Sequence, residues 1–309
     1  MPTTTAIPDP TIAPAPIPTW FGIGGGADRF CTPQNPAELR RCLEIDPNLR
    51  ILGEGANLLV DDDGVSELVV ELSTPVFTKV EIDDKSGRVT AGAGADLSKL
   101  VVESVRRGLS GLEGLGGIPA TLGGAAIMNA GGAFGQIADS ITRIHALTRE
   151  AREVTLERKD IDFSYRHSGL EGLIITSLEL LLPPGNPAML RARLKDVMAY
   201  KKNSQPMADN SAGCCFKNPT VTPDLPQRLG VTPSDSNRIS AGLLIDRAGC
   251  KGLRVGGAMV SPRHGNFVTT GPGARARDVI ELMDQMIQRV HTAFGVTIEP
   301  EVVIWRRGT

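Results

Sequence analysis

The sequence predicts a mixed chain of strands and helices in about two domains, and three observations carry that expectation. Its 309 residues, 41% of them hydrophobic, are long enough to bury a sizeable core, and at ~150 residues per domain they suggest two. Short apolar runs bounded by Gly and Asp are interleaved with a few stretches of helical apolar spacing. The glycine-rich segments match neither a phosphate loop ending in Gly-Lys-Ser/Thr nor GxGxxG between a strand and a helix, so ordinary P-loop and Rossmann folds lose support.

Residues 1–18 hold six prolines among Thr, Ala and Ile, a composition that cannot bury enough surface to offset its ordering entropy, so a disordered tail is expected. A first helix should open at Asn35-Pro36, with Asn as cap, Pro at the first position and Glu38 reaching back, and should end near Ile45. Runs at 50–52 and 68–72 read as strands around the segment Gly53 to Leu59 and an acidic turn at 61–64. A hairpin is expected around Asp83 to Gly87. Next comes a helix capped by Asp96, with Leu97, Leu100, Val101 and Val105 on one side, closed by Gly108.

Segment 114–135 has eight glycines among small apolar residues, which predicts buried, tightly turning backbone. Strands follow at 141–148 and 173–182, then a helix opened by Asn186-Pro187 with Leu190, Leu194 and Val197 as its stripe. A domain boundary is placed near Gln205-Pro206. Beyond it come short apolar pieces at 213–216, a helical piece near 240–248 and a strand near 265–270. The strongest helix runs from 276 to 294, with Val279, Ile280, Met283, Met286, Ile287, Val290 and Phe294 on one face and Gly295 after it.

Composition narrows the function. With 33 basic against 35 acidic residues there is no global positive field, so nucleic acid is not an expected partner. No apolar run approaches the ~20 residues that span a bilayer and no secretory signal is visible, so a cytoplasmic protein without membrane insertion is expected. Five cysteines without CxxC spacing fit free thiols in a reducing compartment, and no metal site is indicated. Two glycine-rich segments about sixty residues apart could offer backbone N–H groups to phosphate, which would suit a nucleotide cofactor.

Eight segments then occur in one order: TWFGIGG at 19–25, GEGANLLV at 53–60, GLEGLGGIPATLGGAAIMNAGGAFG ending at Gly135, FSYRHS at 163–168, SAGCCFKNP at 211–219, AGLLIDRAGCKG at 241–252, SPRHGNF at 261–267 and FGVTIEPEV at 294–302. Together they resemble the UDP-N-acetylenolpyruvoylglucosamine reductase family of MurB-type flavoenzymes over roughly residues 19–304. The resemblance implies an α+β fold: a vanillyl-alcohol-oxidase-like (PCMH-type) FAD-binding domain at 19–205, in two subdomains of about 19–75 and 76–205, then a smaller α+β substrate-binding domain at 206–309. No sequence signal fixes whether the last residues return to the first domain.

The activity implied is peptidoglycan precursor synthesis: NADPH reduces FAD, and the enolpyruvyl group of a UDP-sugar is reduced to the lactyl group of UDP-N-acetylmuramate. The resemblance gives FAD binding to Gly53, Glu54, Gly55, Ala56, Asn57 and Leu58, and to Gly117, Ile118, Pro119, Ala120, Thr121, Gly123, Gly124 and Ala125. Ile174 is similar in position to a residue that touches the flavin. His145, His167, His264 and His291 all lie outside the first glycine motif, where relatives that tether FAD would place one, so noncovalent FAD is expected.

Cys214 stands where the family usually has serine and inherits the role of proton donor. A thiol, with a reference pKa of ~8.5, is largely protonated at neutral pH and more acidic than a hydroxyl. Cys215 competes, but successive side chains of an extended segment face opposite ways, so one of the pair at most can face the flavin. Glu301 matches the carboxylate across the reacting double bond, and Arg166 the guanidinium that pairs with the substrate carboxylate by two parallel hydrogen bonds. Tyr165, Lys201, Lys217, Asn218 and Asn266 are the implied substrate contacts, the lysines answering the diphosphate charge. Lys201 or Lys202 replaces a more usual arginine, and Ser204 a common lysine. The roughly 46 residues between Arg166 and Gly213 resemble the shorter subtype without a lid tyrosine.

Two other functions stay open at this level: an FAD-dependent alcohol or lactone oxidase of the same fold, disfavoured by GCCFKNP and the missing histidine tether, and a nucleotide-binding relative that has lost catalysis. A monomer or weak oligomer acting on a small UDP-sugar with NADPH is the expected working form.

Overall fold

A computed structural model describes residues 9–234 and 236–308. The chain folds into two compact units. One comprises the chain up to Ala15, Ala27–Glu54 and Ser66–Tyr200; the other comprises Pro16–Gly26, Gly55–Val65 and the chain from Lys201 on.

In the first unit the helix Pro36–Ile45 forms for the local reason expected. Asn35 Oδ1 accepts the Glu38 N–H at 3.0 Å, and the Glu38 carboxylate reaches back to the Gln34 N–H at 2.9 Å, so early amides left without a helical partner are satisfied. Its buried residues are Leu39, Cys42 and Leu43. The helix Leu97–Arg107 is capped by Asp96, which accepts the Lys99 N–H at 3.1 Å, and is closed by Gly108 at φ 74°. Two sheets complete the unit. One orders Ala13–Ala15, Ala27–Cys31, Val65–Glu71 and Arg50–Leu52; the other is antiparallel and orders Glu153–Glu157, Ile141–Leu147, Ile174–Leu181, Arg88–Gly92 and Val80–Asp83. The core between these elements includes Leu39, Val70, Leu97, Leu122, Ile144 and Leu178.

The tail expectation is corrected in part. Residues 1–8 lie outside the described residues, but Ala13–Ala15 is a strand, antiparallel to Ala27–Cys31. Proline suits such a strand because an outer one need not donate every N–H. The glycine-rich segment 114–135 is short turning pieces: a 3-10 turn at Glu113–Leu115, a six-residue helix at Leu122–Ile127 and the small hairpin Gly131–Gly132 with Gly135–Gln136.

The second unit packs the helices Ala241–Arg247 and Ala276–Phe294 with a three-stranded antiparallel sheet, Arg254–Val255, Ala258–Val260 and Val268–Thr270. The expected strand at 265–270 is thus shorter, because residues 264–267 form a turn closed by Phe267 N–H to His264 O at 3.0 Å. Residues 55–65, expected in the FAD-binding half, belong here. Leu58–Val60 pairs in parallel with Val303–Trp305, and the Asp61 N–H donates to Trp305 O at 2.9 Å. The boundary expected near Gln205 falls at Tyr200, inside the helix Pro187–Ser204.

Val279, Leu282, Met283, Met286 and Val290 are the buried stripe of the last helix, and Gly295 at φ 69° ends it. Its N-terminus is capped from a distance: Asp62 accepts from the Ala276 N–H at 2.8 Å and the Arg277 N–H at 3.3 Å. Asp62→Ala should therefore cost about 1 kcal/mol, read as a lower urea midpoint at unchanged m. An unchanged midpoint would mean that solvent serves these amides equally well. Among the described residues no helix is long and apolar enough to cross a membrane, and no group of three His, Cys, Asp or Glu side chains could hold a metal ion.

Candidate active site

Within the first unit the two glycine segments meet. A Cβ built on Gly53 would stand 2.9 Å from Thr121 Oγ1, so only glycine lets the turn after Arg50–Leu52 lie against the start of the helix Leu122–Ile127. Thr121 caps that helix through the Gly124 N–H at 3.2 Å, and Gly123 sits so close to the preceding sheet that a Cβ would meet Ala93 Cβ at 3.0 Å. Gly117 takes φ 71°. The carbonyl of Ile118 accepts from the Ser98 hydroxyl at 3.2 Å and that of Ala120 from the Leu97 N–H at 3.0 Å, so the carbonyl oxygens of this stretch are engaged on the protein side. The N–H groups of Ile118, Leu122 and Gly123 also donate within the protein, to Leu115 O, Ala95 O and Ala93 O, so an anion here would be met by the remaining amides of the stretch, with Pro119, Ala125 and the half-buried Ile118 as apolar walls. These residues fit the pyrophosphate of FAD. Glu54 is exposed, and Ile174 is 1% exposed in the core at the start of its strand.

The segment 163–168 is pinned to the end of the same helix. Ser168 Oγ donates to Ile127 O at 2.7 Å, and Asn129 Nδ2 donates to Ser164 O at 2.8 Å. Asn129, 1% exposed and at φ 41°, went unnoticed in the sequence. Between these anchors Arg166 takes φ 54°, a left-handed conformation rare for a side-chain-bearing residue. Its Nη2 donates to Gly131 O at 2.9 Å, and its guanidinium lies 5.2 Å from the Tyr165 ring centroid.

The second unit holds Cys214 and Glu301 on neighbouring segments. Residues 214–217 run between 264–267 and 299–302: Cys214 bridges Phe267, Phe216 bridges Pro300, the Lys217 N–H donates to Glu299 O at 2.8 Å, and the Glu301 N–H donates to Cys215 O at 2.7 Å. The alternation of an extended segment separates the two thiols. Cys214 is half-buried, whereas Cys215 is fully buried and its thiol is pushed up to about 12, chiefly by burial. None of the five cysteines is in a disulfide.

Asn266 turns out to be a clamp. It is 2% exposed, accepts the Phe216 N–H at 2.9 Å on Oδ1 and donates to Phe216 O at 2.8 Å from Nδ2, while its own carbonyl accepts the Cys215 N–H at 2.8 Å. Its amide thus imitates a neighbouring strand and fixes the cysteine segment, which is a different role from the substrate contact expected of it. His264 supports it by accepting the Asn266 N–H on Nδ1 at 3.2 Å; burial, then Lys251, lowers the pKa of this imidazole and favours the neutral acceptor form. Neither role has a signature in local sequence.

Of the other expected substrate residues, Asn218 Oδ1 accepts the Ala241 N–H at 2.9 Å, holding the start of a helix, and Lys201 and Lys217 are half-buried. A separate cavity of about 370 Å³, edged by Asp209, Arg254, Met259 and Thr270, is lined by none of the expected site residues.

Comparison with known proteins agrees with both halves. Residues 205–305 match the UDP-N-acetylenolpyruvoylglucosamine reductase C-terminal domain, and residues 27–157 match an FAD binding domain. The UDP-N-acetylenolpyruvoylglucosamine reductase of Desulfosudis oleivorans is 36% identical over 93% of this chain and 91% of its own length. That of Heliobacterium modesticaldum is 38% identical over 92% of this chain and 86% of its own length. The crystal structure of the Thermus caldophilus enzyme (MurB) superposes with a TM-score of 0.79 at 38% identity, covering 96% of this chain and 99% of that one.

Proposed function

Because this chain belongs to the UDP-N-acetylenolpyruvoylglucosamine reductase family, we propose that Cys214, Glu301 and Arg166 carry its chemistry. The reaction is reduction of the enolpyruvyl UDP-sugar to UDP-N-acetylmuramate for peptidoglycan synthesis, with FAD as cofactor and NADPH as reductant. FAD, held noncovalently by the glycine segments at 53–58 and 117–125, would supply the two-electron relay between NADPH and the enolpyruvyl carbon that becomes the lactyl methyl.

The adjacent carbon, beside the carboxylate, is left with negative charge and needs a proton. Cys214 Sγ–H delivers it, a contribution of ~10²–10⁴ in rate. The observation that carries this assignment is the difference in burial: Cys214 is half-buried, whereas Cys215 is sealed from any substrate and burial makes its thiol a weaker acid. Glu301, whose peptide is bonded to the cysteine segment, assists from the neighbouring segment by polarising the intermediate or the proton transfer. Arg166 binds the substrate carboxylate. Its bond to Gly131 O orients the guanidinium beforehand, so less freedom is lost when substrate binds. Tyr165 stacks beside it, and Lys201 and Lys217, with Asn218, offset the diphosphate.

Arg166→Met should raise KM for the enolpyruvyl sugar nucleotide about 10- to 100-fold, as expected for the loss of charge-assisted hydrogen bonds. Bleaching of the flavin band at saturating NADPH should change little. Equal loss in both half-reactions, followed anaerobically by stopped flow, would contradict this placement of Arg166. NADPH and UDP-sugars are cytoplasmic metabolites, which supports a cytoplasmic location. A monomer or weak oligomer is the proposed working form.

A further inference from the structure

We infer that the side chain of Asn57 is a positioning group for Glu301, although its motif points to FAD; this rests on the reading of Glu301 given above. Asn57 Nδ2 donates to the backbone oxygen of Glu301 at 3.0 Å, and the Val303 N–H donates to the backbone oxygen of Asn57 at 3.0 Å. The regular parallel ladder begins only at Val303, opposite Leu58. Glu301 lies just outside that ladder, and the Asn57 amide carries the bonding on to its C=O.

Glu301 is then held at both ends. Its N–H is bonded to Cys215 O at 2.7 Å and its C=O to Asn57 Nδ2, so the planes on either side of its Cα are fixed, and with them the direction in which the carboxylate leaves the backbone. The chain of contacts runs from Asn57 through the peptides of Glu301 to the cysteine segment, all within the second unit. Such a hydrogen bond contributes only modestly to stability, but displacement of a reacting group by ~1 Å can cost ~10²-fold in rate. Loss of the clamp should therefore show in the step that uses Glu301 far more than in folding.

The test is a double-mutant cycle on the FAD-loaded enzyme with Asn57→Asp, Asn57→Ala, Glu301→Gln and the pair Asn57→Ala with Glu301→Gln. Asn57→Asp keeps the size and loses the N–H, so it reports even if the alanine variant folds poorly. Each single variant should hold FAD through dialysis, bleach with NADPH near the native rate, and reoxidise with the enolpyruvyl UDP-sugar at least tenfold more slowly. The double variant should be no slower than Glu301→Gln alone, because Asn57 acts only through Glu301. Loss of FAD from Asn57→Asp, or losses that multiply in the double variant, would overturn the inference while leaving the role of Glu301 intact. A Glu301→Gln enzyme that reoxidises normally would remove the role of Glu301 itself, and the inference with it.

Discussion

Cys214→Ala should bleach with NADPH near the native rate yet turn over about 10²- to 10⁴-fold more slowly, the range that a positioned proton donor supplies. The substitution removes one half-buried sulfur from an extended segment whose backbone is bonded on both sides, through Asn266 and through Glu301, so the fold has little reason to change. Cys214→Ser should keep substantial activity, since a hydroxyl in the same register also carries a transferable proton. Cys215→Ala should act oppositely: it opens a small gap in the core and leaves the proton transfer alone, because that thiol is sealed and held far above its ordinary pKa by burial. A large catalytic loss in Cys215→Ala with little in Cys214→Ala would reverse the register on which the assignment stands.

Asn266→Leu should be the most damaging substitution for stability among the site residues. It strands the Phe216 N–H and C=O where water cannot replace the lost partners, at about 1–3 kcal/mol for each buried group, so about 2–6 kcal/mol is expected. Asn266→Asp keeps the acceptor for the Phe216 N–H but turns a second oxygen toward Phe216 O, and the resulting repulsion in a dry site should not rescue the protein. Urea unfolding at constant m measures the effect. A loss below ~0.5 kcal/mol would mean that the cysteine segment is held by its ladder contacts alone. Molecules of Asn266→Leu that remain folded should show lower kcat with little change in KM, because both polar atoms of the Asn266 side chain are engaged with Phe216 and hold the cysteine segment.

What could be read in the residues themselves was whatever is decided locally. Asn35 with Glu38, Asp96 with Gly108, and Gly295 after an apolar stripe define three helices by short-range capping chemistry, and each helix has the limits those residues predict. The separation of Cys214 from Cys215 followed in the same way from the alternation of an extended chain. Pairings over long distances were not legible. The strand Ala13–Ala15 exists because Ala27–Cys31 lies beside it, against the bias of its proline-rich composition. Residues 55–65 join the second unit because Leu58–Val60 finds Val303–Trp305, more than two hundred residues away.

Side-chain amides were not legible for the same reason. Asn57 and Asn266 stand in motifs that point to cofactor and substrate, and a single sequence cannot reveal that their amides bond the distant peptides of Glu301 and Phe216. The glycines of GEGAN and GGIPATLGG were legible as close-approach positions, but that Gly53 and Thr121 approach each other depends on how the intervening sheet folds.

The central claim, that the Cys214 thiol protonates the carbon beside the substrate carboxylate, is tested most directly by a single anaerobic turnover. Cys214→Ala, first bleached with one equivalent of NADPH, is mixed with saturating enolpyruvyl UDP-sugar, and return of the flavin absorbance is timed. The account predicts recovery at least a hundredfold slower than in the native enzyme, with Cys214→Ser close to native. Recovery of Cys214→Ala at the native rate, with UDP-N-acetylmuramate formed in full, would contradict it.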